Sequence, residues 1–447
     1  MLRTVLVANR GEIARRIIRG CRARGLASVA VYSEADRDAP HVTDADRAVA
    51  IGPAPARESY LDIGRLIGAA RESGADAVHP GYGFLSENWR FAAACAEAGL
   101  TFIGPSPEAI RAMGDKTEAR RRMAAAGVPI VPGSPEPVAN AAAAERFAAN
   151  VGYPVILKAA AGGGGIGMAK AATASELAPA WATATRRAQA AFGRADVYVE
   201  RYVEQGRHIE VQVFGDAKGT VVHMHERECS IQRRHQKLVE ESPAPHLAPA
   251  IKRGLTEAAV AGARAIGYVN AGTLEFLVDA QGFYFLEMNT RLQVEHPVTE
   301  QVTGLDLVVA QLDVAAGQPL PWSQDAIVQH GAAIEVRVYA EDPARNFLPS
   351  PGTVSRLSLP HGDGLRLESG VVEGSVVSVH YDPLLFKLIA TGADRPEALA
   401  RLAGALDACV VEGVKTTLPL LRCIVGHPEF RRGAVHTQMV EQGAFNG

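Results

Sequence analysis

The chain has 447 residues, 47% of them hydrophobic and 21% charged, with a formal net charge of −3. This length predicts roughly two to four soluble domains, and the near-neutral charge gives no reason to expect nucleic acid or an anionic membrane as a partner. No apolar run approaches the ~18 residues of a membrane span, and the run after Met1 is too short for a signal peptide, so we expect a cytoplasmic protein.

The first hundred residues alternate predicted strands with helical segments. A helix is predicted over 12–24, where isoleucines recur at helical spacing between charges. This alternation favours a parallel α/β sheet of the Rossmann type. The first turn, Asn9-Arg10-Gly11, has no GxGxxG sequence, however, which weakens the case for a dinucleotide site. The predicted strands are residues 4–8, 28–32, 76–79 and 100–103.

A glycine-rich loop follows an apolar segment that ends at Lys158. Its backbone N–H groups can surround phosphate oxygens, because no Cβ atoms prevent a close approach. The loop lacks the GK[ST] ending of a Walker A motif. A flexible linker would have the same composition, but the preceding strand and lysine favour phosphate binding. Five of the six positions from 162 to 167 are glycine: Gly162, Gly163, Gly164, Gly165 and Gly167.

The stretch 272–288 predicts a β-hairpin with a glycine in its loop. If Asp279 pairs with Phe283, the loop has three residues, a common hairpin form. That register places Glu275 directly opposite Glu287, with Cβ atoms roughly 5 Å apart. Like charges in this arrangement destabilise a sheet unless a positive group lies between them. The pair is therefore a candidate cation site, although two solvent-facing glutamates would give the same pattern.

Polar residues continue at alternate positions beyond the hairpin. Asn289 adds an amide oxygen to the two carboxylates, a ligand set that suits Mg²⁺ or Mn²⁺ bound to nucleotide phosphates. A polar outer strand face would show the same alternation. If the chain stays extended, one row contains Glu287, Asn289, Arg291, Gln293 and Glu295.

Strands are also predicted after residue 321, over 333–339, 352–357 and 384–389. On the first of them, Glu335, Arg337 and Tyr339 would share one face. The chain contains no repeat with a period of 20–50 residues.

The five cysteines are widely spaced and form no CxxC pair, which does not predict a disulfide framework or a zinc site. Four of them are expected to be buried small hydrophobes. Cys229 lies in a polar motif, where a structural role is favoured over a reactive thiol. The cysteines are Cys21, Cys95, Cys229, Cys409 and Cys423.

Four long motifs resemble those of the biotin-dependent carboxylases: ANRGEIA at 8–14, HPGYGFLSEN at 79–88, ERECSIQRRHQK at 226–237 and RLQVEHPVTE at 291–300. They occur in the family's order and span nearly the whole chain. The resemblance implies an ATP-grasp fold, α/β in class and α+β overall. The expected domains are a Rossmann-like α/β domain over 1–114, an ATP-grasp domain over 115–330 with a lid subdomain at about 131–203, and a C-terminal α+β domain over 331–447.

The resemblance also implies a role for each matching residue. Lys116 and Lys158 would neutralise ATP phosphates, under the closed glycine loop. Glu200, Arg201 and Val203 would form the hinge that reads adenine. Near the nucleotide we expect His208, Gln232 and His235, and as metal ligands Glu275, Glu287 and Asn289.

At the reacting end, Glu295 would be the general base that deprotonates bicarbonate. Arg337 would stabilise charge on the ureido oxygen of biotin, with Tyr82 nearby. Bicarbonate would be held by Lys237, Arg291, Gln293 and the backbone of Val294. Ile166 departs from the family, because many relatives have a basic residue there, and this puts the energetics of lid closure in doubt.

The activity implied is ATP-dependent carboxylation of biotin by bicarbonate through carboxyphosphate, with Mg²⁺ or Mn²⁺. The expected partners are a biotin carboxyl carrier protein or domain and a carboxyltransferase, and the expected assembly is a homodimer. No Met-Lys-Met biotinylation site is present, so biotin would come from a carrier or from another part of a longer polypeptide. The expected final acceptor is acetyl-CoA, with propionyl-CoA, methylcrotonyl-CoA, pyruvate or urea as alternatives.

Two other readings of the chain remain at this point. Another ATP-grasp ligase would share Lys116, Lys158 and the metal carboxylates, but would not be expected to have the segments 232–237 and 291–300. A non-catalytic nucleotide-binding subunit predicts the loss of a catalytic group, whereas Glu295 and its neighbours are all present.

Overall fold

The N-terminal region forms a parallel sheet, as predicted. In the computed structural model, which describes residues 2–160, 167–234 and 236–445, this sheet has five strands in the order β3-β2-β1-β4-β5. Its strands are β1 (Thr4–Val7), β2 (Ala27–Ser33), β3 (Arg47–Gly52), β4 (Ala77–His79) and β5 (Thr101–Phe102). Its helices are α1 (Gly11–Ala23), α2 (Pro40–Asp44), α3 (Ile63–Ser73), α4 (Trp89–Glu97) and α5 (Pro107–Gly114).

The strand order of this sheet reverses between β1 and β4. In open α/β sheets, ligands bind in the crevice at the carboxyl ends of the strands that flank such a reversal. The turns after β1 and β4 contain the motifs at 8–14 and 79–88. Both motifs therefore lie at one end of the sheet, where a ligand is expected.

The next region is a small antiparallel sheet covered by helices. Its order is β7-β6-β8, and two helices, α7 and α8, pack alanine-rich faces against it. The elements are α6 (Lys116–Ala125), α7 (Ala141–Val151), β6 (Val155–Ala159), β7 (Met168–Ala171), α8 (Ala174–Phe192) and β8 (Val197–Arg201).

The rest of the chain contains long strands and several short ones. The strands are β9 (Arg207–Gly215), β10 (Val221–Arg233), β11 (Gln236–Ser242), β12 (Asn270–Asp279), β13 (Gly282–Asn289), β14 (Ala332–Tyr339), β15 (Glu341–Asp342), β16 (Leu348–Pro349), β17 (Gly352–Thr353), β18 (Arg356–Ser358), β19 (Leu365–Ser369), β20 (Val376–Val377), β21 (Leu384–Gly392) and β22 (Val410–Glu412). The helices are α9 (Pro249–Ala265), α10 (His296–Thr303), α11 (Leu307–Ala315), α12 (Arg395–Ala408), α13 (Leu418–Gly426) and α14 (Pro428–Arg431).

Eight of these strands form one antiparallel sheet in the order β13-β12-β9-β10-β11-β14-β21-β19, the central sheet. It contains strands from both sides of residue 330. The prediction of a single strand over 352–357 is wrong in detail. Two short strands, β17 and β18, lie in this region, and they pair with different partners, β20 and β22. Within the described ranges, no helix is both long and apolar enough to cross a membrane.

The central sheet has two chemically different faces. The apolar face includes Ile209 and Val211 of β9 and Leu274 and Phe276 of β12, which pack with side chains of α6 and α9. The intervening residues alternate to the opposite side, as the pleat of a strand requires. The polar face is defined by His208, Glu210, Gln212, Thr273 and Glu275.

Candidate active site

A cavity of about 850 Å³, the cleft, lies over the polar face. The N-terminal turns, the small sheet, the central sheet and the segment 437–441 all contribute to its wall. Neither Gly167 nor Glu295 lines it, and Gly162–Gly165, Ile166 and His235 lie outside the described residues. The predicted site residues that line the cleft are Tyr82, Lys116, Lys158, Glu200, Arg201, Val203, His208, Gln232, Lys237, Glu275, Glu287, Asn289, Arg291, Gln293, Val294 and Arg337.

The predicted pairing of Glu275 with Glu287 across β12 and β13 is confirmed. The predicted loop is wrong by one residue, because Asp279 pairs with Gly282 instead of Phe283. A register shift between Glu275 and Phe276 then compensates for the shorter loop. Such a β-bulge turns side chains locally, and here it restores the two carboxylates to opposite positions.

Negative charge accumulates at the Glu275–Glu287 pair. Burial raises the pKa of Glu287, and the nearby charge of Glu275 raises it further. Burial alone would also raise the pKa of Glu275, but Lys237 and His208 hold it well below its usual range. Burial lowers the pKa of Lys116, against the opposing influence of Glu287. This end of the cleft therefore favours a bound cation.

The oxygen atoms at this pair fit a hard cation such as Mg²⁺. Asn289 extends the set, although its amide oxygen accepts a hydrogen bond from Arg291 at 2.8 Å and its amide nitrogen donates to Glu275 at 2.9 Å. His208, Glu210 and Glu275 also lie within 4.8 Å of one another. A metal is less suited to that second group, because the Lys237 ammonium already bonds both carboxylates.

Lys237 is the centre of a buried charge cluster. Its Nζ donates to Glu210 at 2.5 Å, to Glu275 at 2.9 Å and to Glu295 at 2.6 Å. Burial would lower the pKa of Lys237, but the three carboxylates raise it well above its usual value. Glu210 was not predicted, although the alternation of His208, Glu210 and Gln212 within an apolar strand was a usable signal.

Glu295 lies behind the wall of the cleft, fully buried. Besides Lys237, it accepts a hydrogen bond from Arg337 at 2.8 Å. Burial would raise the pKa of Glu295, but Lys237 and Arg337 hold it well below its usual range. The carboxylate is therefore ionised, as a proton acceptor must be before it reacts.

Arg337 pairs with a second buried carboxylate that the sequence did not reveal, Glu240. Glu240 lies opposite Glu335 on the neighbouring strands β11 and β14. Burial raises the pKa of Glu240 to about 7, although Arg337 opposes this, and burial raises the pKa of Glu335 well above its usual value. Arg337 and Tyr339 lie on one face, as predicted from alternation, and Arg337 donates to the Tyr339 hydroxyl at 3.5 Å.

The predicted extended row is wrong beyond Asn289, where β13 ends; α10 begins only at His296. The strand stops because the N–H of Thr290 donates to Glu87 of the N-terminal region instead of to a neighbouring strand. Glu87 also accepts from Arg291 at 2.9 Å. The side chain of Gln293 nevertheless reaches Glu275 and donates a hydrogen bond to it at 3.0 Å. The polar side chains therefore approach the same carboxylate although the backbone is not extended.

The lysines predicted to bind phosphate, Lys116 and Lys158, line the cleft at the same end as Glu287, whose charge influences the pKa of Lys116. Lys158 lies 2.6 Å from Glu200, which also pairs with Arg120. The segment 437–441, not predicted as part of the site, returns to the wall of the cleft. The N–H of Thr437 donates to the carbonyl of Gly206 at 3.0 Å, and Glu441 accepts from the N–H of Arg234 at 3.1 Å.

Two predictions lie at the margins of the site. Tyr82 lines the cleft, and its hydroxyl donates to the carboxylate of Glu12. Cys229 is buried, and burial raises the pKa of its thiol well above the usual value, which favours a structural role. Cys21, Cys95 and Cys409 are buried as expected, whereas Cys423 is exposed, so that prediction is wrong for one cysteine.

Comparison with known proteins identifies the class. Residues 1–110 match the family described as biotin carboxylase, N-terminal domain, and residues 335–442 match biotin carboxylase C-terminal domain. Residues 115–323 match the ATP-binding domain of the carbamoyl-phosphate synthase L chain. Biotin carboxylase 2 of Bacillus subtilis is 52% identical, over 99% of this chain and 100% of that protein.

Solved structures give the same result. The biotin carboxylase–β,γ-ATP complex of Campylobacter jejuni has a TM-score of 0.96 at 46% identity, covering 99% of both chains. A biotin carboxylase domain dimer of Hydrogenobacter thermophilus 2-oxoglutarate carboxylase, in complex with MgADP, ADP and bicarbonate, has a TM-score of 0.95 at 45% identity, covering 100% of this chain and 99% of that one.

The fold and the cleft are therefore those of an ATP-dependent ligase with the ATP-grasp architecture. The chain belongs to the biotin carboxylase family, whose reaction is the ATP-dependent carboxylation of biotin.

Proposed function

We propose that this chain uses ATP and bicarbonate to carboxylate biotin on a carrier protein, as the first half-reaction of an acyl-CoA carboxylase. The observation that carries the proposal is the buried cluster in which Lys237 and Arg337 hold the ionised Glu295 beside the cleft. This arrangement presents one proton acceptor and two cations to a small anion such as bicarbonate.

The end of the cleft that contains Lys116 and Lys158, the nucleotide end, would neutralise the negative charge of the ATP phosphates. Lys116 and Lys158 would bind the phosphates of ATP, while Glu200, Arg201 and Val203 border the base, together with His208 and Gln232. Glu275 and Glu287, with Asn289, would hold Mg²⁺ or Mn²⁺, which when bound neutralises charge on the transferring phosphoryl group. The relative from Campylobacter jejuni, solved as a β,γ-ATP complex, supports this placement.

At the other end, Glu295 would accept the proton of bicarbonate, and the resulting oxyanion would attack the γ-phosphate, breaking its bond to the bridging oxygen of ADP, to form carboxyphosphate and release ADP. Glu295 becomes a stronger base as Lys237 and Arg337 turn towards the substrate anion, because those cations keep its pKa low. Arg291, Gln293 and the backbone of Val294 would complete the bicarbonate site. The Hydrogenobacter thermophilus relative, in complex with bicarbonate, supports this assignment.

Biotin would then receive the carboxyl group near Arg337 and Tyr82. Breakdown of carboxyphosphate yields CO₂ and phosphate, and the phosphate can take the N1′ proton of biotin. Arg337 would stabilise the negative charge on the ureido oxygen as a preorganised guanidinium. A homodimer is proposed for the assembly, since the Hydrogenobacter thermophilus relative is a dimer.

Acetyl-CoA is the proposed final acceptor, reached through a carrier and a carboxyltransferase. The support is the full-length match to a protein named simply biotin carboxylase. The 2-oxoglutarate carboxylase domain is nearly as similar, so the acceptor needs its own test. Carrier and transferase from the same organism would be combined with labelled bicarbonate. We expect label in the carboxylated product of acetyl-CoA in preference to the carboxylated products of propionyl-CoA or pyruvate.

The central test measures ADP release with Mg²⁺, with and without bicarbonate and free biotin. Wild-type turnover is expected to depend on bicarbonate and to increase with biotin. The Glu295→Gln variant should lose about 10²- to 10⁴-fold in rate, the usual contribution of a general base. Glu241→Gln is the matched control, because Glu241 is also buried and paired with an arginine, at 2.6 Å from Arg395, but does not line the cleft.

ATP turnover that is indifferent to both bicarbonate and biotin would refute the proposal. It would indicate instead an ATP-grasp ligase that makes a different acyl phosphate from the same lysines and metal carboxylates.

A further inference from the structure

A buried lysine outside the cleft connects the two substrate positions proposed above. Lys387 lies on β21 directly opposite Arg337 of β14, so both side chains are on the same face of the central sheet. It is fully buried. Its Nζ donates to the carbonyl of Val294 at 2.5 Å and lies 3.2 Å from the carboxylate of Glu12.

The two partners of Lys387 both line the cleft, whereas Lys387 does not. Val294 belongs to the segment proposed to bind bicarbonate through its backbone. Glu12 accepts a hydrogen bond from the hydroxyl of Tyr82, and Tyr82 is proposed to lie near biotin. One ammonium group therefore joins the N-terminal turn, the segment after β13 and the C-terminal strand β21.

The surroundings keep this lysine charged. Burial would lower the pKa of Lys387, but Glu12, Glu335 and Glu368 together raise it above its usual value. A buried ammonium is costly without such partners, and so is a buried carboxylate left without its cation. The Glu12 carboxylate depends on Lys387 in this way, because burial raises the pKa of Glu12 and Lys387 is the largest influence that lowers it.

We propose that Lys387 is a positioning residue, which fixes Val294 and the Glu12–Tyr82 pair so that bicarbonate and biotin are held in reacting geometry. This inference rests on the proposed function for the identity of the two substrates. Within the part of the chain that the structure describes, Lys387 forms no hydrogen bond or ion pair with a residue proposed to bind ATP, so its removal should affect the two small substrates selectively.

The test compares Lys387→Met with Lys387→Arg. In Lys387→Met, the KM values for bicarbonate and biotin should rise about ten- to hundredfold, the effect of one lost hydrogen bond to a charged group. The KM for ATP should stay near that of the wild type. Lys387→Arg, which keeps a cation, should recover part of the loss.

Arg395→Met is the matched control. Arg395 is a largely buried cation of the same region, paired with Glu241 at 2.6 Å, and neither residue lines the cleft. If Lys387→Met and Arg395→Met lower stability equally and leave all three KM values unchanged, Lys387 is merely structural and the inference is overturned. If Lys387→Met fails to fold, Lys387→Arg and Glu12→Gln are measured in the same way, and unchanged KM values for biotin and bicarbonate in both overturn it.

Amide hydrogen exchange separates this inference from the proposed function. Faster exchange at Glu12, Gly83 and Glu295 is expected in Lys387→Met but not in Arg395→Met, whatever reaction the cleft performs. Unchanged exchange at these amides would refute the positioning role. Loss of bicarbonate dependence in the wild type would instead refute the proposed function.

Discussion

The two faces of the central sheet are formed by the same strands but are stabilised in opposite ways. Leu274 and Glu210 are both 0% exposed, although one lies among hydrocarbon side chains and the other is bonded to Lys237 and Arg227. On the apolar face, the free energy of folding comes from burying carbon atoms. On the polar face, each carboxylate needs a cation, because an isolated buried charge costs several kcal/mol.

This difference shows that depth of burial does not distinguish packing residues from chemical ones. The partners do: a buried side chain with mobile or exchangeable ionic partners can bind a substrate, whereas one among methyl groups cannot. Replacements on the polar face should therefore impair both folding and activity, and replacements on the apolar face should impair folding alone.

The largest effect is expected for Lys237→Met, which leaves Glu210, Glu275 and Glu295 without their shared cation. The free energy of unfolding, measured with urea, should fall by about 3–5 kcal/mol, the usual cost of breaking a buried ion pair. Bicarbonate-dependent ADP release should disappear. Arg121→Met is the control, since Arg121 forms an exposed pair with Glu118 and should change stability by less than about 1 kcal/mol. Equal losses in both variants would contradict the contrast between the faces.

A slightly smaller loss of stability is expected for Leu274→Ala on the apolar face. Removing a buried leucine side chain usually costs about 2–5 kcal/mol. Turnover per folded molecule, measured at a temperature where the variant is folded by circular dichroism, should remain that of the wild type. A reduced rate in fully folded Leu274→Ala would show that the faces do not act independently.

The smallest effect is a pH dependence at Glu240. Its pKa rises from 4.5 to about 7 on burial, so the folded state keeps a proton that the unfolded state releases between these values. Wild-type stability therefore falls as pH rises through this window. Glu240→Gln lacks that loss, so its Tm relative to the wild type should increase between pH 4.5 and pH 7. A constant difference in Tm would exclude this titration.

The sequence predicted features that depend on local alternation. The opposition of Glu275 and Glu287 and the shared face of Arg337 and Tyr339 follow from strand geometry within short segments, and the parallel N-terminal sheet follows from the alternation of strands with helices. The hairpin loop was wrong because a β-bulge adds a residue on one strand, and alternation alone does not show where a bulge occurs.

Contacts between distant segments could not be predicted in this way. Glu87 ends β13 by accepting the Thr290 N–H, and Glu240 reaches Arg337 only because β11 pairs with β14. Lys387 gave no signal, since a single lysine in an apolar strand identifies no partner. These residues became visible only when the sheet order was known.

The return of residues 437–441 to the wall of the cleft has a consequence for synthesis of the chain. Lys116 lines the same cleft as Gln438 and Glu441, so the pocket is incomplete until more than three hundred further residues have left the ribosome. A ligand stabilises only a chain that can bind it. A ligand that requires the complete pocket therefore cannot stabilise the growing polypeptide, and the earlier segments depend on their own packing until Glu441 emerges.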